Sequence, residues 1–343
     1  MDKVIITGAN GFIGSHITRE FCKNGIKPGC LIRKERKLTN IKDLNVEIRY
    51  GDIRDEVSLK NAFEGFDFVI HNAGYVKDWG KYELFHKTNV EGTLNVLKAC
   101  VANEIKDIIM TGSISVYGEE NSFEIKDEES PYHSHYHYFL DKIFPCALNS
   151  YRDTKCLATK EAISYAQEKG LNLTILEPVW VYGEREFNTG FYEYIKSVKE
   201  GMILAPGSKK NKFHVIYAGD LARAYFSAYQ KRLKGINRII IGNKEPELMA
   251  DTYQLFCQFA NIKPPKLLPA WLVYPIGFIM ELVATILQTK EPPLLTRGRV
   301  SMFYDNIEYS TKKAEDVLGF TNEYTLEEGI KKTVQWYKEN NFI

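Results

Sequence analysis

The chain has 343 residues, 44% hydrophobic and 26% charged, with 45 Lys and Arg against 44 Asp and Glu for a formal charge of +1. This composition fits a folded soluble protein of one large or two closely joined domains, and the near-zero charge argues against nucleic-acid binding. Cys22, Cys30, Cys100, Cys146, Cys156 and Cys257 have no C-x-x-C and no zinc-like spacing, which predicts reduced, mostly buried thiols in a cytoplasmic protein.

The N-terminus has no basic-then-apolar leader, so no signal peptide is expected. From there apolar runs alternate with amphipathic stretches. Strands are predicted over residues 3–7, 29–32, 46–50, 68–71, 107–111 and 173–176, and helices over 13–23, 57–63 and 84–103. Such β-α-β alternation predicts an α/β fold with a parallel, doubly wound sheet.

The first strand runs into Thr7-Gly-Ala-Asn-Gly-Phe-Ile-Gly14. Gly8, Gly11 and Gly14 between a strand and a helix let the backbone approach a pyrophosphate at the helix N-terminus. Gly8, Asn10, Gly11, Phe12, Ile13 and Gly14 are therefore candidate cofactor residues. Arg33 follows the second strand, where a residue contacting the adenosine ribose is expected. A guanidinium suits a 2′-phosphate, so NADP is favoured over NAD, with NAD left open.

Gly51-Asp52-Ile53 closes the third strand and His71-Asn-Ala-Gly74 the fourth, while Asn89 falls inside the long third helix. Ser113 follows the fifth strand, at the edge that faces the ligand crevice in such sheets.

Asn149-Ser-Tyr-Arg-Asp-Thr-Lys155 carries the chemistry. On a helix, Tyr151 and Lys155 share one face a turn apart. A phenol ordinarily titrates near ~10, and bringing it to about 7 takes about 4 kcal/mol of interaction, which a neighbouring ammonium can supply. The same spacing recurs at Tyr138 and Lys142, but Pro145 stops a helix there, whereas no Gly or Pro follows Tyr151 until Gly170. Tyr151 and Lys155 are the chosen pair.

Together these motifs resemble the extended short-chain dehydrogenase/reductase family, over nearly the whole chain. The T-G-x-x-G-F-I-G loop, the Asp after the third strand, H-N-A-G, N-x-x-G-T, S-x-S-V-Y-G and Y-x-x-x-K occur in order. The resemblance implies a Rossmann sheet with a smaller C-terminal substrate lobe. It implies catalysis by Ser113, Tyr151 and Lys155, with Lys155 also holding the nicotinamide ribose. Asp52 would lie at the adenine and Ala73 on the nicotinamide-side loop, with Ile53 and Gly74 as further cofactor residues and Asn89 supporting the site. Pro178 and Val179 match the nicotinamide-contacting turn, although Glu177 stands where relatives usually carry Arg or Asn. The expected division is a cofactor domain over residues 1–180 and about 213–243, and a substrate lobe over 181–212 and 244–343. Phe213 to Arg223 resembles the strand-to-helix return into the main sheet.

His133, His135 and His137 alternate in a loop read as exposed or substrate-covering, and no metal is assigned. Residues 267–287 are very apolar but hold Pro269, Pro275, Gly277 and Glu281. Pro275 and Gly277 are expected to split the stretch into two short helical pieces. The preferred reading buries its leucines, isoleucines and Trp271 as a wall over the substrate pocket, with an outer face open to a membrane that supplies a lipid-like substrate; peripheral membrane contact as the main role comes second and a membrane span last. This stretch, P-P-L-x-T-R at 292–297 and K-A-x-x-x-L-G-F from Lys313 look like the 3β-hydroxysteroid dehydrogenase branch. The resemblance implies an oxidoreductase interconverting an alcohol and a ketone on an apolar small molecule. A nucleotide-sugar epimerase with the same Ser-Tyr-Lys site is the alternative, and a non-catalytic cofactor sensor is disfavoured because Tyr151 and Lys155 are both present. A homodimer is compatible with this reading.

Overall fold

The computed structural model describes residues 2–118, 124–187 and 190–343. Strand β1 (Val4–Thr7) enters helix α1 (Phe12–Lys23), followed by β2 (Gly29–Ile32), β3 (Glu47–Tyr50), β4 (Phe68–His71), β5 (Asp107–Thr111) and β6 (Asn172–Pro178). A last strand, Ile236–Ile241, lies beside β6 at one edge of a seven-stranded sheet that continues through β5, β4, β1, β2 and β3. Every pairing is parallel.

The chain starts at β1 and winds outward in both directions, so β1 and β4 flank the switch point. The crevice beyond their C-terminal ends is where ligands bind in such sheets. Alternation along each strand explains the continuous apolar runs: Ile6, Ile70 and Ile109 enter one core, and Ile5, Val69 and Ile108 the other.

Three departures from the sequence expectations matter. The predicted helix 84–103 is a short α-helix (Tyr82–Phe85), a π-helical turn (His86–Glu91) and a second α-helix (Gly92–Ala102). Val215–Tyr217 pairs with Trp180–Tyr182 in a separate two-stranded sheet, and the return into the main sheet is made by Ile236–Ile241. Residues 270–286 form one helix, with Pro275 inside it. The ring costs the bond that Trp271's carbonyl would accept, but both residues are exposed, so solvent can satisfy that oxygen. Gly277 does not break the helix either. A Cβ there would meet Val300 at 2.9 Å, so the glycine allows the 297–302 helix to pack closely.

Candidate active site

Helix α1 starts at Gly11 with no side-chain cap and no acid in its first turn. Its first backbone N–H groups therefore remain for an anion. Gly8 has φ +70°, and a Cβ on it would lie 2.9 Å from the Ala73 backbone. A Cβ on Gly14 would lie 2.1 Å from the Gly8 carbonyl oxygen. These glycines are required by close backbone approach, and the cradle they leave fits a dinucleotide's phosphates. Phe12 and Ile13 open the helix. Asn10, in the same loop, donates to the Lys37 carbonyl and accepts from the Asn40 N–H at 3.1 Å, pinning the segment after β2.

Arg33 follows β2, its Nε 3.5 Å from Glu35. Asp52 is held by Arg54 at 2.6 Å, and that bond keeps its carboxyl below the usual range. Ile53 is buried against Gly92, and its carbonyl accepts from Asn95 at 3.0 Å. After β4, Ala73 N–H donates to Thr7 Oγ1 at 3.1 Å. Gly74 leaves room for Asn89, whose Oδ1 accepts from Tyr75 N–H at 2.7 Å and whose Nδ2 donates to Thr154 Oγ1 at 3.3 Å. Asn89 lies in the π-helical turn, a distortion that often marks functional sites. It ties the loop after β4 to the residue beside Lys155.

Ser113 caps a 3-10 turn (Ile114–Tyr117) beyond β5, its Oγ accepting from Ser115 N–H at 3.2 Å. Tyr151 lies near the start of the Ala147–Lys169 helix, which ends at left-handed Gly170. Lys155 Nζ donates to the Thr111 carbonyl at 2.7 Å. That bond draws the Tyr151/Lys155 helix onto the end of β5, two residues before Ser113. Burial pulls the Lys155 amine down to about 8, opposed by the Glu177 carboxylate, so it remains mainly ammonium at pH 7.

Glu177 is fully buried at the end of β6. Tyr117 Oη donates to it at 2.6 Å and Arg238 Nε at 3.3 Å. Glu177 is recognisable in the sequence as a departure, but its partners are not, because Arg238 arrives on the last strand. Pro178 ends β6, and Val179 N–H donates to the Ile241 carbonyl at 3.0 Å.

His71 was also missed. Its two ring nitrogens bond Thr7 Oγ1 at 2.8 Å and Thr93 Oγ1 at 3.0 Å. Burial, with Lys155 nearby, pushes its pKa from 6.5 to about 3. The unfolded state binds a proton that the folded state excludes, so this contribution is complete above about pH 6.5 and is lost as pH falls towards 3, at up to about 1.4 kcal/mol per pH unit. Urea unfolding at pH about 7 and about 5 should show a smaller loss on acidification in His71→Asn than in the wild type. An unchanged pH slope would assign the acid sensitivity to other groups.

His135, His137 and Asp141 offer ligand atoms within 4.8 Å of one another, a different trio from the alternating histidines. His135 already bonds Asp153 at 2.7 Å through Nδ1 and Asp141 at 2.8 Å through Nε2. Burial lowers its pKa, but the two carboxylates outweigh that and raise it. With both nitrogens on carboxylates, His135 ties its loop to the Tyr151 helix.

The family model described as NAD dependent epimerase/dehydratase family matches residues 4–242. The chain belongs to this family. Members use a nicotinamide dinucleotide, which the glycine cradle fits. Among its relatives, a 2-alkyl-3-oxoalkanoate reductase of Stenotrophomonas maltophilia is 26% identical over 96% of this chain and 98% of its own. A decarboxylating sterol-4-alpha-carboxylate 3-dehydrogenase of Schizosaccharomyces pombe is 25% identical, covering 98% and 97%. An N-acetyl-alpha-D-glucosaminyl-diphospho-ditrans,octacis-undecaprenol 4-epimerase of Escherichia coli O157:H7 is 27% identical, covering 98% and 95%. This epimerase/dehydratase-family chain is thus an NAD(P)-dependent oxidoreductase or epimerase acting on CH–OH groups.

Proposed function

We propose that the chain interconverts an alcohol and a ketone on an apolar, steroid-like or long-chain small molecule, with Ser113, Tyr151 and Lys155 as the catalytic residues. The observation that carries this reading is the bond from Lys155 Nζ to the Thr111 carbonyl, which brings the Tyr151 helix to the strand end bearing Ser113. The apolar substrate class is supported by the relatives that reduce oxoalkanoates and oxidise sterols.

A bound nicotinamide would supply or accept the hydride. In the reducing direction, Tyr151 would give its proton to the substrate oxygen as the C=O π bond opens and the carbonyl carbon is reduced. Lys155 stabilises the phenolate left behind. The Ser113 hydroxyl holds the substrate oxygen in line. Oxidation of the alcohol reverses each step. The substrate lobe is assigned to 181–212 and 244–343, and the six free thiols fit a cytoplasmic location.

Assays of NADPH and NADH oxidation with 2-alkyl-3-oxoalkanoates and 3-ketosteroids should show one cofactor oxidised per ketone consumed. The second reading is an epimerase, favoured by the undecaprenol-linked sugar epimerase among the relatives. A sugar epimerised with no net change in cofactor would select it.

NADP is the preferred cofactor in this reading, because Arg33 stands exposed enough to form charge-assisted bonds to a 2′-phosphate and its contact with Glu35 is long. Arg33→Ala should weaken NADPH binding about 10- to 100-fold and NADH much less. Titration of both into the wild type is the check, and tighter binding of NADH would overturn the preference.

A further inference from the structure

The 270–286 helix sorts its residues into two faces. Val273, Gly277, Glu281 and Ala284 point inward. Leu272, Ile276, Ile279, Val283 and Ile286 form an exposed apolar stripe at helical spacing, with Ile286 69% exposed. Most of the isoleucines expected to be buried are therefore exposed, and Trp271, also expected inside, is 76% exposed. The patch continues beyond the helix. Phe139 packs its ring against Phe278 at 5.4 Å, and the same loop exposes 83% of Ile143. Half of the large exposed apolar side chains among the described residues lie on this helix, the segment after it and this loop. An apolar patch of this extent marks an interaction surface.

We propose that this face lies flat on a lipid bilayer carrying anionic headgroups. Four features of the molecule select a bilayer as the occupant. The stripe presents no hydrogen-bonding side chain, whereas protein interfaces carry roughly one hydrogen bond per 100–200 Å². The helix's single charged side chain, Glu281, is turned inward and paired with Arg297 at 2.9 Å. Lys263 and Lys266 precede the helix, Lys290 follows it and Lys142 stands beside Ile143, all exposed; with the exposed Glu291 beside Lys290, four cations against one anion bracket the apolar stripe. Trp271 sits at one end, where an indole favours the headgroup boundary.

The helix has 17 residues, a length of about 25 Å, and no helix of the described residues is long and apolar enough to cross a membrane. It therefore rests in the interface plane with the exposed stripe against the acyl chains. The inner face connects this surface to the catalytic region: Gly277 packs on Val300, and Gly298 of that next helix packs on Leu148, which precedes Tyr151 on its helix. An apolar substrate dissolved in the bilayer would reach the protein on the side where these layers meet.

The inference can be tested without cofactor or substrate, so its outcome is independent of the reaction proposed above. The full chain is mixed with vesicles of phosphatidylcholine containing about 30 mol% phosphatidylglycerol and separated by flotation. Wild type should float with these vesicles and bind pure phosphatidylcholine more weakly, with the difference removed by high salt. The double variant Ile276→Glu/Ile279→Glu alters two exposed positions and should keep the wild-type melting midpoint. Its vesicle affinity should fall about a hundredfold. Wild type that fails to float, or a double variant that floats equally well, overturns the proposal. So does a dimer in solution that the double variant dissociates, since a second copy would then cover the stripe.

Discussion

Tyr151→Phe should lower kcat by about a thousandfold while leaving cofactor binding nearly intact. The substitution removes one oxygen from a half-buried ring, so the helix should hold its place and Lys155 should keep its bond to the Thr111 carbonyl. What is lost is the proton that the substrate oxygen exchanges as hydride moves. Tyr138→Phe is the control, because its Tyr-x-x-x-Lys spacing is identical. Tyr138 is buried against Tyr136, with ring centroids 4.4 Å apart, and a Cβ on Gly298 would stand 3.3 Å from its hydroxyl. It lies before a turn in which Leu140 takes φ +58°, so no helix brings Lys142 onto its face. Steady-state rates for both variants, with cofactor titrations alongside, check the assignment. A dead Tyr138→Phe beside an active Tyr151→Phe would reverse it.

Arg297→Met should destabilise the fold by about 3–5 kcal/mol. Arg297 and Glu281 are 0% and 1% exposed. The guanidinium donates to Glu281 through Nε at 2.9 Å and Nη2 at 3.0 Å, and to the carbonyls of Phe139 and Phe144 at 2.6 and 2.8 Å. It also lies over the Phe144 ring, 4.7 Å from the centroid. Removing it strands a buried carboxylate and two loop carbonyls, which costs far more than the bonds contribute net. Glu281→Leu/Arg297→Met removes both charges and should recover much of the loss, leaving the two carbonyls as the residual cost. Urea unfolding of the three proteins reads this directly. A single variant within about 0.5 kcal/mol of wild type would show that water reaches the carboxylate.

These two sites differ in how they could be read. The cofactor cradle was legible because its physics is largely local: glycines at 8, 11 and 14 follow from close backbone approach at one β-α turn, and the strand before them, Val4-Ile-Ile-Thr7, is an uninterrupted β-branched run. Tyr151 was legible for the same reason, since a helix 23 residues long without Gly or Pro leaves the residue four positions away on one face. The bonds of the Asn10 amide to Lys37 and Asn40 were not legible, because those partners fold back from beyond β2.

What tertiary structure alone decided concerns groups whose partners are remote in sequence. Glu177 meets Arg238 across adjacent strands, Glu281 meets Arg297 across a helix pair, and His71 is held neutral between β1 and the Gly92–Ala102 helix. Periodicity reports which residues share a face, and so it predicted that residues 267–287 would be helical and apolar. It does not report whether another element covers that face. The sequence by itself determined the doubly wound sheet, the dinucleotide loop and the spacing of Tyr151 and Lys155, because each follows from bonds and sterics within a few residues. Packing decided that Pro275 stays inside one helix, that Gly277 is a contact with Val300 and not a break, and that the stripe from Leu272 to Ile286 faces outward, because burial depends on which distant surfaces the folded chain brings together.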